Sequence, residues 1–214
     1  MYPFEACTTI AVSGTTGSGK TTWVYELLKH RDQMFDGEPP VRILYCYGIH
    51  QPLYEEMQKF IPSMTFKEGL PTPEDVDELT SDRKHSILLI DDLMEQAVKS
   101  SEVELLFTRG SHHRRMTVIY INQNQFNQGK NARSINLNTH YLILLRNPRD
   151  VFQIQILGKQ VFPGKSQSVV EAYKDCTSQP YGYLVLDLSP HTSEEHRLRT
   201  KIFPGERTIV YLPY

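Results

Sequence analysis

The sequence has few cysteines, no long apolar run and no strong excess of charge. Its three cysteines, Cys7, Cys46 and Cys176, are odd in number and widely spaced, which argues against a disulfide framework and against a zinc site. The longest aliphatic runs, at 87–90 and 142–145, are far shorter than the roughly 20 apolar residues of a membrane-spanning helix. We therefore interpret the cysteines as buried thiols and expect no membrane partner.

The N-terminus and the net charge also narrow the classes of function. Residues 1–14 contain Glu5 and no basic cluster, unlike a secretory signal, so we expect an intracellular protein that is not secreted. The 23 basic and 25 acidic side chains leave a formal net charge of −2. Because this gives no global basic field, any contact with nucleic acid has to come from a local patch.

Five apolar runs of strand length alternate with stretches of helical character. The runs lie at 8–13, 41–47, 86–91, 117–122 and 140–145. The helical stretches between them lie at 20–31, 52–60, 73–80 and 92–107. Most of the runs are continuously apolar, as expected for strands covered on both faces. The pattern predicts an α/β fold with a mostly parallel central sheet flanked by helices.

A glycine-rich turn follows the first predicted strand and opens the first predicted helix. It fits the pattern GxxxxGK[ST] and comprises Gly14, Thr15, Thr16, Gly17, Ser18, Gly19, Lys20 and Thr21, followed by Thr22. Glycines allow backbone N–H groups to face phosphate oxygens, and the helix N-terminus adds a positive partial charge. We expect Lys20 to contact the β- and γ-phosphates and the Thr21 hydroxyl to ligate Mg²⁺. An ordinary glycine turn would require neither residue.

Two acidic residues end the third predicted strand. Asp91 and Asp92 follow Ile87–Ile90, at the strand end where α/β sheets bind ligands. We expect Asp91 to hold Mg²⁺, directly or through water. Asp92 can orient and deprotonate an attacking water molecule, and the alternative is that it caps the helix that follows.

The fourth predicted strand is followed by an amide. Gln123 is expected at the same edge of the sheet as the phosphate-binding loop. There it could hold the lytic water or sense the γ-phosphate.

The chain length of 214 residues suits a single domain, 1–214. We divide it into a nucleotide-binding core, 1–146, and a C-terminal α+β extension, 147–214.

These motifs together resemble the FtsK/HerA superfamily of P-loop ATPases. More narrowly, the chain is similar to genome-packaging ATPases of double-stranded DNA viruses and virus-like transposons, of the Maverick/Polinton, adintovirus and poxvirus type. The similarity runs from about residue 8 to the C-terminus. It is carried by CYGIHQPLYEEM, LLIDDLM, LFTRGSHHRRMTVIYINQNQF, SINLNTHYLILLRNPRD and EAYKDCTSQPYGYLVLDLSP.

The resemblance implies a homo-oligomeric ring that hydrolyses ATP and drives double-stranded DNA into capsids in the infected host cell. It implies ATP and Mg²⁺ as cofactors and capsid proteins as partners. It assigns Lys20 and Thr21 to the Walker A pair and Asp91 and Asp92 to the Walker B pair. Gln123 matches the sensor glutamine.

An arginine finger is not assigned cleanly by the resemblance. Relatives have an arginine shortly before the sensor strand, but counting back from that strand places His112 there, with Arg109, Arg114 and Arg115 on either side. The loop 108–116 leads from a helix to the start of a parallel strand, so we expect it at the edge opposite the nucleotide. From there an arginine could reach a neighbouring subunit, and we favour Arg114, then Arg109. A solvated basic turn would look the same.

A second basic segment follows the sensor strand. Asn127, Gln128, Lys130 and Arg133 suit contacts with DNA phosphates, although a charged, exposed loop would have the same composition.

The main alternative function is a small P-loop nucleotide or nucleoside kinase, which is often of this length. Asp92 and Gln123 favour water as the phosphate acceptor instead, and no lid or acceptor site is evident. A nucleotide-stabilised adaptor without turnover is a further alternative.

Overall fold

One sheet of nine strands runs through the described part of the chain. The structure is a computed structural model that describes residues 2–107, 114–123, 132–149 and 151–214. In chain order the strands are β1 (Thr9–Ser13), β2 (Arg42–Tyr47), β3 (Met64–Glu68), β4 (Ser86–Asp91), β5 (Met116–Asn122), β6 (Tyr141–Leu145), β7 (Tyr183–Asp187), β8 (Leu198–Thr200) and β9 (Ile209–Tyr211).

The sheet is mostly parallel, which confirms the predicted fold class. Its strand order is β3-β2-β4-β5-β1-β6-β7-β8-β9. Strands β1 to β6 pair in parallel, whereas β7, β8 and β9 continue the sheet beyond β6 in antiparallel pairs. The edge at which β1 to β6 end is called the carboxyl edge below. Parallel α/β sheets bind ligands at this edge.

Helices connect the strands and flank the sheet. They are α1 (Lys20–Lys29), α2 (Arg31–Met34), α3 (Leu53–Phe60), α4 (Pro73–Leu79), α5 (Met94–Ala97), α6 (Ser101–Leu105), α7 (Ala132–Leu137), α8 (Val151–Val161) and α9 (Ser166–Cys176). None of the described helices combines the length and the apolar character that crossing a bilayer requires.

Apolar layers cover both faces of the sheet, which explains the continuous apolar runs in the sequence. On β1, Ile10 and Val12 join the buried cluster that includes Leu27 of α1. Between them, Ala11 points to the other face and joins the cluster that includes Leu157 of α8. Successive side chains of a strand point to opposite faces, so a strand buried on both sides needs apolar residues at every position.

Three details differ from the sequence-based prediction. Strand β3 was not predicted because it lies at the sheet edge and its residues are mixed in burial and polarity. Strand β8 lies in a polar stretch of the sequence, 191–201, that has no apolar run of strand length, and Arg199 is buried there because its guanidinium pairs with Asp187 at 2.6 Å. The predicted helix 92–107 is interrupted, because the Ser100 side chain accepts a hydrogen bond from the Val103 N–H and starts a new helix, α6.

Candidate nucleotide-binding site

The glycine-rich turn runs from the end of β1 to the first residue of α1. Gly17 and Gly19 have φ of 77° and 98°, a left-handed conformation that favours glycine, and Gly19 is the N-cap of the helix. A Cβ at Gly14 would lie 2.6 Å from Ser18 Oγ and 2.9 Å from Leu145 Cβ. The motif glycines therefore meet both a conformational and a packing requirement.

The loop is tied to the neighbouring strand and holds its lysine. The Thr15 hydroxyl donates to the Arg146 carbonyl at 3.2 Å, just after β6. The Lys20 ammonium donates to the carbonyls of Gly14 at 2.8 Å and Thr15 at 3.0 Å. Burial lowers the pKa of Lys20, and the nearby carboxylates of Asp91 and Asp92 oppose that shift. The lysine is thus a cation positioned inside the loop, close to the acidic residues.

Most of the predicted site residues line one cavity of about 550 Å³ at the carboxyl edge. It is lined by Thr16, Gly17, Gly19, Lys20, Thr21, Thr22, Ile49, Gln51, Leu53, Asp91, Asp92, Ile121, Asn122, Gln123 and Tyr181. The other three motif residues, Gly14, Thr15 and Ser18, are not among its lining and serve as the frame of the loop. The phosphate-binding loop and the residues that end β5, about 100 positions apart in the sequence, therefore line the same cavity.

Asp91 is buried at the end of β4 and is held by two tyrosines. Its Oδ2 accepts hydrogen bonds from the hydroxyl of Tyr45 at 2.7 Å and that of Tyr54 at 2.9 Å. Burial raises the pKa of Asp91, whereas the two hydroxyl donors and Lys20 lower it. Because both hydroxyls bond the same oxygen, Oδ1 is the oxygen left for a further ligand. Sequence reasoning did not identify either tyrosine.

Asp92 is exposed and has a φ of 57°, in the left-handed region. Helix α5 begins at Met94, its N-cap is Leu93, and no side chain caps it. The capping alternative for Asp92 is therefore not what the structure shows. Backbone strain of this kind is common at functional sites, and here it accompanies a carboxylate that lines the cavity.

Two amides from the end of β5 reach the cavity. Gln123 follows the last strand residue, is exposed and lines the cavity, as predicted from the sequence. Asn122 pairs in register with Ser13 of β1, is buried, and has no hydrogen-bond partner for either amide atom among the described residues. Buried amides normally find partners, so Asn122 is a second candidate for contact with a ligand. Sequence reasoning missed it, although it directly precedes Gln123.

The residues at this edge fit a magnesium ion bound together with phosphates. The Thr21 hydroxyl and the Asp91 carboxylate are hard oxygen ligands, and both line the cavity. Mg²⁺ typically takes one or two such protein ligands and completes its shell with phosphate oxygens and water. Within the described ranges no cluster of three or more His, Cys, Asp or Glu side chains forms an independent metal site. When bound, Mg²⁺ would neutralise charge on the phosphates.

The predicted arginine residues lie elsewhere. Arg114 precedes β5 and so lies at the edge opposite the cavity, where it forms an ion pair with Asp77. Arg115 has a φ of 52° and pairs with Glu38 at 3.4 Å. Arg133 is exposed on α7. The remaining candidates lie outside the described residues: Arg109, His112, Asn127, Gln128 and Lys130.

The fold and the loop together are those of a P-loop NTPase. Comparison with protein-family models gives no match, and neither does comparison with curated proteins. Among solved structures, the chain is similar to the genome packaging NTPase B204 from Sulfolobus turreted icosahedral virus 2. The sulfate complex of B204 has a TM-score of 0.56 at 12% identity, covering 100% of this chain and 98% of B204.

Two further complexes of B204 give the same result. The AMP complex has a TM-score of 0.55 at 14% identity, covering 90% of this chain and 96% of B204. The AMPPCP complex has a TM-score of 0.54 at 13% identity, covering 97% and 98%. At these identities the similarity establishes the shared fold over nearly the full length of both chains.

Proposed function

We propose that this protein is a Mg²⁺-dependent ATPase that moves double-stranded DNA and packages it into viral capsids. The observation that carries the proposal is the cavity at the carboxyl edge that Lys20, Thr21, Asp91, Asp92 and Gln123 line together. The full-length similarity in fold to a genome packaging NTPase, which was solved with AMP and with ATP analogues, supports the same activity.

The site residues divide the chemistry between them. The loop N–H groups and Lys20 would bind the phosphates, and Thr21 and Asp91 would hold Mg²⁺. Asp92 would take the proton of the attacking water, and Gln123 would position that water or sense the γ-phosphate. Because Asp92 lines the cavity and does not cap a helix, it is available for this role. Water is therefore favoured over a nucleoside as the phosphate acceptor.

The proposal includes a homo-oligomeric ring of the FtsK/HerA type that works with capsid proteins in the infected cell. Arg114 lies at the edge of the sheet opposite its own cavity, so it cannot act there. In a ring this edge can face the nucleotide of the next subunit, where an arginine finger contributes roughly 10³–10⁵ in rate.

The test is the rate of phosphate release as a function of protein concentration, with and without duplex DNA. A ring motor gives a steep, DNA-stimulated rise, because each active site needs a neighbour. Lys20→Ala is the inactive control, since it removes the phosphate-binding cation. ATP consumption that depends on an added nucleoside and not on DNA would favour the kinase alternative.

Mixing two inactive variants tests the finger. Arg114→Ala and Asp92→Asn each disable a different half of a shared site, so mixed rings contain some complete sites and recover part of the activity. Arg109→Ala is tested in the same way, and Asp77→Ala controls for loss of the ion pair of Arg114. Normal activity of Arg114→Ala alone would exclude it as the finger.

A further inference from the structure

Tyr181 places an aromatic ring against the phosphate-binding loop, and the proposed hydrolysis does not use it. The side chain is 70% exposed and lines the same cavity as Lys20 and Thr22. A Cβ on Gly19 would lie 2.6 Å from Cδ1 of Tyr181, so the ring packs directly on this glycine. An exposed ring at the mouth of a polar cavity offers a flat apolar surface to a ligand.

The turn that carries Tyr181 is held in a strained conformation. Tyr181 has a φ of 62°, which a residue with a bulky side chain adopts only when its surroundings enforce it. A Cβ on Gly182 would lie 2.0 Å from the carbonyl oxygen of Cys176, so the turn is pressed against the end of α9. Helix α9 is in turn fixed to β6, because the Tyr173 hydroxyl donates to the Leu145 carbonyl at 3.0 Å. The contacts of the turn with α9, and of α9 with β6, therefore fix the position of the Tyr181 ring.

The strand order places Tyr181 and the acidic residues on opposite sides of β1. Asp91 and Asp92 end β4, which is separated from β1 by β5. Tyr181 lies just before β7, which is separated from β1 by β6. Because β7 is antiparallel to β6, it begins at the carboxyl edge. A triphosphate whose terminal phosphate faces Asp91 and Asp92 thus extends its nucleoside toward Tyr181.

We propose that the ring of Tyr181 stacks on the nucleobase of the bound nucleotide and forms the base-binding wall of the site. This inference rests on the proposed ATPase function, since it takes the orientation of the triphosphate from the metal-binding side. Stacking on an aromatic ring tolerates any base, because every base has a π-face. The cavity has a second apolar candidate on the far side, Ile49, which is also 70% exposed.

Comparing the affinities for ATP and for inorganic tripolyphosphate, both with Mg²⁺, distinguishes the contribution of the base to binding from that of the phosphates. Affinities are measured by calorimetry for the wild type, Tyr181→Ala, Tyr181→Phe and Ile49→Ala. We expect Tyr181→Ala to bind ATP about five- to a hundredfold more weakly, while its affinity for tripolyphosphate is unchanged. Tyr181→Phe keeps the ring and should bind like the wild type, and Ile49→Ala tests the alternative apolar wall of the cavity. Circular dichroism verifies that each variant is folded.

The outcomes distinguish the two proposals. Unchanged or tighter ATP binding by Tyr181→Ala overturns the stacking role, and tighter binding would mean that the ring obstructs the site. If Ile49→Ala instead weakens binding of ATP but not of tripolyphosphate, the base lies against Ile49 and the stacking role of Tyr181 is overturned. Equal affinity of the wild type for ATP and tripolyphosphate also overturns the inference but leaves the nucleotide site intact. If the wild type binds neither compound, the proposed ATPase function fails together with it.

Discussion

Removing the two hydroxyl groups that hold Asp91 is expected to weaken Mg²⁺ binding while the protein stays folded. The variants are Tyr45→Phe, Tyr54→Phe and the double variant. Both rings are buried and belong to an aromatic cluster, with centroids 4.8 Å apart and each 5.1 Å from the ring of the partly buried Phe66. Phenylalanine keeps these contacts, so the change is confined to the two hydrogen bonds at 2.7 and 2.9 Å.

The size of the effect follows from the kind of bond that is lost. A hydrogen bond to a charged group contributes about 1.5–3 kcal/mol, and loss of a partner behind a metal ligand typically lowers metal affinity about 10–100-fold. Each single variant retains one hydroxyl on Oδ2 of Asp91, so we expect roughly a tenfold rise in half-saturating Mg²⁺. The double variant leaves the buried carboxylate without either donor, and we expect up to roughly a hundredfold. The two effects need not add, because both bonds share one oxygen.

The assay is the Mg²⁺ dependence of ATP hydrolysis, together with the Mg²⁺ dependence of ATP binding. Tyr141→Phe is the matched control, because its buried hydroxyl accepts a hydrogen bond from the Glu5 N–H, and Tyr141 lies at the start of β6, away from the carboxyl edge. The control should leave the Mg²⁺ dependence unchanged. If the double variant requires no more Mg²⁺ than the control, Tyr45 and Tyr54 do not position a metal ligand.

Three other predictions address catalysis, DNA contact and stability. Asp92→Asn should lower phosphate release about 10²–10⁴-fold with unchanged ATP affinity, and Gln123→Ala should also lower it; if neither does, these roles are wrong. Replacing Lys130 and Arg133 by alanine should weaken DNA binding. The slope of log affinity against log salt concentration should fall by about 0.9 per lost contact with a phosphate. An unchanged slope would argue against phosphate contacts. Burial lowers the pKa of His85, so its neutral imidazole stabilises the fold above about pH 6.5 and this contribution is lost as the pH falls. The difference in free energy of unfolding between wild type and His85→Gln should therefore shrink from pH 7.5 to pH 5, and a constant difference would contradict this account.

The parallel core could be predicted because its strands are buried on both faces. All residues of β4 and β5 are buried, which leaves a continuous apolar run in the sequence. The edge strand β3 has no such run, since only Met64 of its five residues is buried. Strand β8 depends on the ion pair between Arg199 and Asp187, a contact that periodicity cannot reveal.

The phosphate-binding loop and the acid pair could be predicted because their residues are adjacent in the chain. The two tyrosines that donate hydrogen bonds to Asp91 could not be predicted, because Tyr45 and Tyr54 are 46 and 37 residues away from it in the sequence. Tyr181 lies in the turn that precedes β7, which begins at Tyr183. Its position against Gly19 results from the antiparallel addition of β7, which the sequence did not indicate.

The insertion of β5 between β1 and β4 has a mechanical consequence for a motor. The end of this strand borders both the phosphate-binding loop and the acid pair, so under the proposed function it would lie next to the terminal phosphate. Residues 123 and 133 are ten positions apart, and the later one belongs to the basic segment proposed to touch DNA. The nucleotide site and the proposed DNA contacts would then be connected by a short stretch of backbone. A conformational change at the nucleotide could reach the DNA within one subunit.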